Sequence, residues 1–197
     1  MATQEQKTTV NQDIPSLARL VERLDADTGT GDERQICDAV RETLVEEIVE
    51  GKLNLPPAMI RASETGYARR LLHRGDDYTV VVMVWGPGQG TPIHDHDGKW
   101  CVECVYQGQI HVVSYDIKGS PEDEIVSFQV EDDIAAGRGE AGALIPPYDY
   151  HIIENLREDV AVTVHVYGGE IARCTTYSPV DGNGTYRREE RELGYNV

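Results

Sequence analysis

Residues 88–101 read GQGTPIHDHDGKWC and carry two histidines, His94 and His96, on either side of one acidic residue. In an extended segment side chains alternate with a period of two, so the two imidazoles project from the same face. Two imidazoles on one face supply half of the donors of a mononuclear metal site. The alternative is a pair of surface histidines that bind nothing.

The spacing around these histidines, G-x5-H-x-H-x4-C-x6-G from Gly88 to Gly108, resembles the first motif of the cupin superfamily. The chain departs from that motif at Cys101, where the motif carries a glutamate ligand. The second cupin motif contains a third histidine and an asparagine four residues later, and His151 and Asn155 match both. Tyr148 stands in this second motif where a glycine is usual.

A cysteine in place of the cupin glutamate marks the cysteine dioxygenase family, a branch of the cupins. Residues 163–167, TVHVY, resemble the Ser-x-His-x-Tyr relay of that family with threonine in place of serine, and Cys174 follows seven residues after the tyrosine. The resemblance covers residues 67–174. It implies a mainly β fold, a cupin jelly-roll β-barrel with an N-terminal helical segment.

The resemblance also implies a non-haem iron enzyme, a thiol dioxygenase that adds both atoms of O2 to the sulfur of L-cysteine and gives cysteine sulfinate. Its expected residues are His94, His96 and His151 for Fe(2+); Tyr167, His165, Thr163 and Cys101 for catalysis; and Tyr67 and Arg69 for the substrate. Three neutral imidazoles leave room for an anionic thiolate, although zinc accepts the same donors. The alternatives are another small thiol carboxylate, such as 3-mercaptopropionate or mercaptosuccinate, and a cupin with a different metal and activity.

Several side chains have more specific expected roles. The guanidinium of Arg69 suits a carboxylate in two-point geometry, whereas Arg70 points the other way on an extended segment. The family forms a thioether between a cysteine and a tyrosine at the positions of Cys101 and Tyr167, so the same bond is possible here. Thr163, His165 and Tyr167 alternate along one strand face, where the histidine is expected to orient the tyrosine hydroxyl. His73 and His111 match no family motif and are interpreted as structural.

Glu103 fits this pattern poorly, because alternation from Cys101 places its carboxylate inside an apolar barrel. Burial of an unpartnered carboxylate is costly. A cation partner, a pocket for an unusual thiol, and a bulge that turns the side chain outward are all open explanations.

Composition limits the class of protein. The chain has 197 residues, is 40% hydrophobic and carries a formal charge of −17, which argues against nucleic acid and anionic lipid as partners. No apolar run approaches the ~18 residues of a membrane span. The first thirteen residues lack the apolar core of a secretory signal, so we expect a cytoplasmic monomer or small homo-oligomer that binds only a small thiol and O2. The four cysteines do not form a disulfide scaffold in a chain of this length.

The pattern predicts one domain in three parts: a helical segment over 1–62 that packs on the barrel, a barrel over 63–180 and a charged tail over 181–197. Helices are predicted over 14–25 and 36–49, with a third short helix after Pro56-Pro57. The predicted strands are Tyr78–Trp85, Trp100–Gln107, Gln109–Tyr115, Ile125–Val130, Ala143–Ile145, Tyr150–Glu154, Val160–Tyr167 and Ile171–Tyr177.

Overall fold

The computed structural model of the chain describes residues 9–10, 14–29, 31–147, 149–180 and 184–196. Tyr148 and most of the polar N-terminal segment lie outside the described residues. The elements in chain order are β1 (Thr9–Val10), α1 (Leu17–Thr28), α2 (Glu33–Val49), β2 (Ala68–Arg74), β3 (Thr79–Trp85), β4 (Ile93–His94), β5 (Cys101–Gln107), β6 (Gln109–Lys118), β7 (Ile125–Gly137), β8 (Ala141–Leu144), β9 (Tyr150–Glu154), β10 (Ala161–Tyr167), β11 (Arg173–Pro179) and β12 (Thr185–Glu192). The expected mainly β class with two N-terminal helices is confirmed.

The two helices cover one face of the first sheet. Helix α2 begins at a capping box, in which the Asp32 carboxylate accepts from the Gln35 backbone N–H at 3.0 Å and the Gln35 side chain accepts from the Asp32 backbone at 3.2 Å. The apolar stripes of both helices pack into one core with the sheet. None of the helices in the described part of the chain is long and apolar enough to cross a membrane.

The strands form two sheets of six. The first has the order β1-β2-β3-β10-β5-β8, and the second closes into a ring, β11-β12-β7-β6-β9-β4, because β4 pairs with both β9 and β11. Side chains from both sheets meet in a second core between them. This two-sheet architecture agrees with the jelly-roll barrel expected from the sequence.

Alternation on β3 and β10 separates the two cores. Even-numbered residues pack beneath the helices, and odd-numbered residues face the space between the sheets. On β10 the residues beneath the helices are Val162, Val164 and Val166, and the inward-facing residues are Thr163, His165 and Tyr167. The site therefore lies on the inner face of the first sheet.

The structure differs from the sequence predictions in three places. The prediction of a third helix is wrong. The chain after Pro56 makes a single turn, in which the Met59 N–H donates to the Pro56 carbonyl at 2.8 Å, and it then continues without helix into β2. Strands β1, β2 and β4 were not predicted, since β2 lacks alternation and β1 and β4 have two residues each.

The third difference is the C-terminal segment. The expected charged tail contains β12, which pairs with β11 and with β7. Its sequence, TYRREERE, does not predict a strand, because most of the side chains are exposed and form no apolar face. Backbone pairing with the neighbouring strands stabilises β12 instead. Beyond this strand, Tyr195 and Asn196 fold back over β2.

Candidate metal centre

Three histidines converge between the sheets. His94 ends β4, His96 follows just beyond it, and His151 on β9 pairs directly with His94. The ring centroids are 4.6 Å apart for His94 and His151, 5.0 Å for His96 and His151, and 5.2 Å for His94 and His96. One nitrogen of each ring lies within 4.8 Å of the others, so the three can share one metal ion.

Three of the six ring nitrogens of this triad lack a hydrogen-bond partner among the described residues. Both ring nitrogens of His151 and Nδ1 of His96 are buried without a hydrogen bond. Loss of hydration lowers the pKa of His94 to about 3 and that of His151 well below its usual value, with neighbouring imidazoles adding to the effect. Neutral imidazoles with free lone pairs are the form that binds a metal, so the residues fit a bound divalent ion.

Oxygen atoms face the Nδ1 side of each ring. His94 Nδ1 lies 3.2 Å from the Pro92 carbonyl, which only accepts, so Nδ1 carries the hydrogen and Nε2 keeps the lone pair. His96 Nδ1 lies 3.6 Å from the Asp149 carboxylate, which also accepts from the His96 backbone N–H. Such oxygens fix the orientation of metal-binding imidazoles.

A small cavity of about 30 Å³ opens beside the triad. Its lining includes His94 and His96 together with Tyr67, Arg69 and Tyr167, the residues predicted to contact the substrate or take part in catalysis. A second, larger cavity of about 480 Å³ is bordered by His151 and shares no lining residue with the first. The triad therefore lies between two cavities.

Arg69 is 5% exposed and held at the back of the small cavity. Its Nη2 donates to the Ile171 carbonyl at 2.9 Å, and its guanidinium lies 4.7 Å from the Tyr195 ring centroid and 5.9 Å from that of Tyr167. Arg70 instead reaches the Met59 carbonyl. One arginine of the pair thus faces the cavity, and some of its donors remain available for an anion.

The inner face of β10 carries the remaining predicted residues. The Thr163 hydroxyl lies 2.7 Å from His165 Nε2. The expected hydrogen bond from His165 to the tyrosine hydroxyl is not formed: the rings of His165 and Tyr167 stack at 5.7 Å, and the hydroxyl points to the Met83 sulfur at 3.7 Å. Burial raises the pKa of Tyr167 well above its usual value, so its hydroxyl is protonated at neutral pH.

Cys101 is fully buried and lies directly opposite Tyr167 in the β5–β10 register. Burial, aided by the nearby Glu103 carboxylate, raises the pKa of its thiol. All four cysteines are free and buried. Cys101 and Cys104 belong to different cores, as expected for positions i and i+3 of a strand, so they do not form a redox pair.

Glu103 faces inward, as alternation predicts, and is 5% exposed. Burial raises its pKa to about 8. The other two histidines lie outside the triad: His73 packs on Tyr78 with ring centroids 5.2 Å apart, and His111 pairs with the Asp133 carboxylate at 2.6 Å.

Sequence reasoning missed the contribution of the C-terminal segment. Arg191 and Leu193 line the small cavity, and the Tyr195 ring covers the guanidinium of Arg69. Asp149, which supports His96, was also missed. The acid two residues before His151 is a signal that was available, since metal-binding histidines commonly have a carboxylate neighbour.

Comparison with known proteins gives a consistent picture. A family model described as "Cysteine dioxygenase type I" matches residues 38–180. "Cysteine dioxygenase type 1" of Danio rerio is 24% identical over 120 residues, and that of Rattus norvegicus is 22% identical over 119. Each match covers 59% of this chain and 58% of the relative.

Solved structures with similar folds have low identity. An RmlC-like cupin protein from Desulfovibrio desulfuricans aligns with a TM-score of 0.44 at 21% identity, over 59% of this chain and 95% of that chain. The family model, in contrast, spans well over half of the chain and both histidine motifs. The chain belongs to the cysteine dioxygenase type I family.

Proposed function

We propose that this protein is a thiol dioxygenase that uses non-haem iron(II) to convert L-cysteine and O2 to cysteine sulfinate. The observation that carries the proposal is a single small cavity bordered by two of the three converging histidines, the Arg69 guanidinium and the Tyr167 ring. Two S–O bonds form and the O–O bond breaks, so sulfur loses four electrons and dioxygen gains them. No further reductant is needed.

His94, His96 and His151 are the residues proposed to hold the metal. When bound, iron(II) would offer coordination positions to the thiolate and dioxygen and would relay electrons from sulfur to dioxygen without net oxidation of the metal. The three donors are neutral, so the anionic thiolate adds no excess negative charge to the centre. The carbonyl of Pro92 and the carboxylate of Asp149 keep two of the imidazoles in place.

Arg69 is proposed to bind the substrate carboxylate. Its guanidinium is anchored by the Ile171 carbonyl on one side, which leaves other N–H groups to donate into the cavity. An arginine fixed in this way offers a preorganised fork to a carboxylate. Tyr67 contributes a wall of the same cavity by stacking on Trp85 at 4.8 Å.

Tyr167 is proposed to donate a hydrogen bond to the bound substrate or dioxygen. Its only polar partner among the described residues is the weakly accepting Met83 sulfur, so the hydroxyl is free to turn toward a ligand. His165 supports the ring by stacking, and Thr163 supports His165. These contacts keep the tyrosine ring beside the triad.

A thioether between Cys101 and Tyr167 is part of the same proposal. The two residues are direct cross-strand neighbours, whose side chains lie close together on one face. Formation of the C–S bond removes two hydrogen atoms, with dioxygen as the two-electron acceptor. Peptide mass spectrometry after turnover with iron should detect the linked peptides, and finding unlinked peptides alone would rule out the bond.

Oxygen uptake by the iron(II)-loaded protein tests the main proposal. L-Cysteine, 3-mercaptopropionate and mercaptosuccinate are compared, with mass spectrometry of the products. We expect one cysteine sulfinate for each O2 consumed. Sulfinate formed only from another thiol would overturn the assignment of L-cysteine as the substrate. No oxygen uptake with any thiol at full iron occupancy would overturn the assignment as a thiol dioxygenase.

A second substrate, a thiol with two carboxylates such as mercaptosuccinate, is favoured by one observation. Arg191 lines the same cavity as Arg69, and within the described residues its side chain has no ion pair. Arg191→Gln should lower kcat/KM for mercaptosuccinate and leave that for L-cysteine unchanged. Equal effects on both substrates would exclude a role in substrate selection.

A cytoplasmic location stays a prediction.

A further inference from the structure

Glu103 is a buried carboxylate that the proposed chemistry does not use. In the strand register it lies opposite His165 on β10 and opposite Gly142 on β8. Cross-strand partners present their side chains on the same face, so the carboxylate lies beside the His165 ring. Gly142 has no side chain, and the open space there belongs to the 480 Å³ cavity that Glu103 and His151 both border.

The two carboxylate oxygens face two different imidazoles. Glu103 Oε1 lies 3.9 Å from His151 Nδ1, and Oε2 lies 3.5 Å from His165 Nδ1. Among the described residues no other carboxylate lies within 4.0 Å of either nitrogen, and the other polar atom near His165 Nδ1 is the Cys101 sulfur at 3.8 Å, a weak acceptor. His151 Nδ1 and Glu103 Oε2 are buried without any hydrogen-bond partner, which is costly for both groups.

The neighbours of His165 determine which of its nitrogens carries the hydrogen. Trp85 Nε1 donates to the Thr163 hydroxyl at 2.9 Å, because an indole nitrogen only donates. The hydroxyl then has His165 Nε2, at 2.7 Å, as the acceptor for its own hydrogen. The hydrogen of the neutral imidazole is therefore on Nδ1, the nitrogen that faces Glu103.

The same reasoning applies to His151. A metal ligated by Nε2 leaves the hydrogen on Nδ1, which then requires an acceptor. The Glu103 carboxylate is the nearest acidic group to that atom. In metal sites an acceptor at this position fixes the ring and increases the basicity of the ligand.

We infer that Glu103 is a positioning residue, which accepts from Nδ1 of both His151 and His165 and so couples a metal ligand to the imidazole stacked on Tyr167. The inference rests on the proposed metal site but not on the identity of the thiol. It explains why a carboxylate lies inside the barrel, a question that the sequence alone left open. A shift of either ring would be transmitted through one side chain to the other.

The competing explanation is a second cation site. One donor atom each from Cys101, Glu103 and His165 also lies within 4.8 Å of the others. The positioning role predicts one metal ion per chain, held by His94, His96 and His151. Two ions per chain, with the second lost in Glu103→Leu, would overturn the positioning role.

The test compares Glu103→Gln, which keeps one accepting oxygen, with Glu103→Leu, which keeps none. Asp132→Asn is the matched control, because Asp132 borders the same cavity but forms no hydrogen bond or ion pair with either imidazole among the described residues. The dissociation constant for iron(II) is measured anaerobically by competition with a chelator. We expect it to rise about 10–100-fold in Glu103→Leu, less in Glu103→Gln, and not at all in the control.

A second readout separates positioning from general stability. Nitrogen-15 spectra of the zinc-loaded protein report the hydrogen bond made by each imidazole N–H. The Nδ1–H signals of His151 and His165 should shift in Glu103→Leu, which removes their acceptor, while the tautomer of His165 stays fixed by Thr163. Unchanged metal affinity and unchanged Nδ1–H signals in both variants, each folded as judged by thermal unfolding, would overturn the inference.

These readouts are independent of turnover. A protein that binds iron but consumes no O2 with any thiol would refute the proposed function and leave the Glu103 result interpretable. Conversely, a wild-type dioxygenase whose variants bind iron normally would refute only the role of Glu103.

Discussion

The two faces of β10 differ in what they contact. Val162, Val164 and Val166 pack beneath the helices in a core of aliphatic side chains, whereas Thr163, His165 and Tyr167 face the histidine triad. One strand therefore contributes to stability through one set of alternate residues and to the site through the other. Substitutions at adjacent positions of this strand should therefore act mainly on stability at one position and mainly on the candidate site at the next.

The inner face of β10 also borders the groups whose burial is most costly in free energy. It lies beside His96 and His151, whose imidazoles are buried without full hydrogen bonding, and burial lowers the pKa values of His151 and His165 well below the usual range. Such a set is stable only if something else pairs with it, and a metal ion is the partner that its donors fit. Removal of an inner residue should thus affect ligand binding more than folding.

The largest effect is expected for His151→Ala. Loss of one of three donors should weaken iron(II) binding by more than about 100-fold, beyond the effect of removing a supporting group. The metal-free variant should unfold at a temperature close to that of the metal-free wild type, because the packing lost at a buried position is offset by removal of an imidazole without full hydrogen bonding. Chelator competition and thermal unfolding measure the two quantities. His111→Ala is the control, and metal affinity equal to wild type in His151→Ala would contradict the assignment.

A smaller loss is expected for Arg69→Gln. A charge-assisted hydrogen bond contributes about 1.5–3 kcal/mol, so kcat/KM for L-cysteine should fall roughly 10–100-fold, mainly through KM. Iron content should not change, since the guanidinium contacts no histidine of the triad. Arg70→Gln is the matched control, because that side chain reaches the Met59 carbonyl instead. An equal loss in both variants would show that the effect is one of general charge.

The site was largely predictable because its residues lie in short sequence motifs. His94 and His96 are two positions apart, Thr163 and His165 likewise, and alternation alone places each pair on one face. Glu103 facing inward follows from the same rule, but its two imidazole partners depend on the β5–β10 register, which no local pattern specifies.

The C-terminal contribution could not be predicted in the same way. Tyr195 contacts the guanidinium of Arg69, although more than half of the sequence separates the two residues. The charged sequence of β12 has no apolar face that would indicate a strand. Backbone pairing to β11 and β7 positions this segment instead. Long-range pairing of polar strands has no periodic signal, so the tail prediction was wrong where β12 forms.

The opposite face of β10 should respond in the opposite way. Val164→Ala removes buried methyl groups beneath the helices and should lower the free energy of unfolding by about 1–2.5 kcal/mol. The metal affinity and kcat of the folded protein should stay unchanged. Urea denaturation measures the free energy of unfolding, and chelator competition measures the metal affinity. Val49 is 55% exposed, so Val49→Ala is the control that should change neither quantity. A reduced metal affinity in Val164→Ala would show that the two faces are not independent.

The smallest effect concerns His111, whose pKa is raised. The hydrogen bond to Asp133 raises the pKa of His111, opposite in direction to the lowered pKa values of His94, His151 and His165. Stability from a raised pKa is fully present below the unfolded value and is lost as the pH rises through the folded value. His111→Gln should therefore lower the free energy of unfolding by about 0.2–1 kcal/mol near pH 5.5 and by nothing near pH 9, since the pair is largely exposed. Urea denaturation at both pH values, with Asp133→Asn completing a double-mutant cycle at the lower one, measures the coupling. A difference that is equal at the two pH values would mean that His111 contributes packing rather than charge.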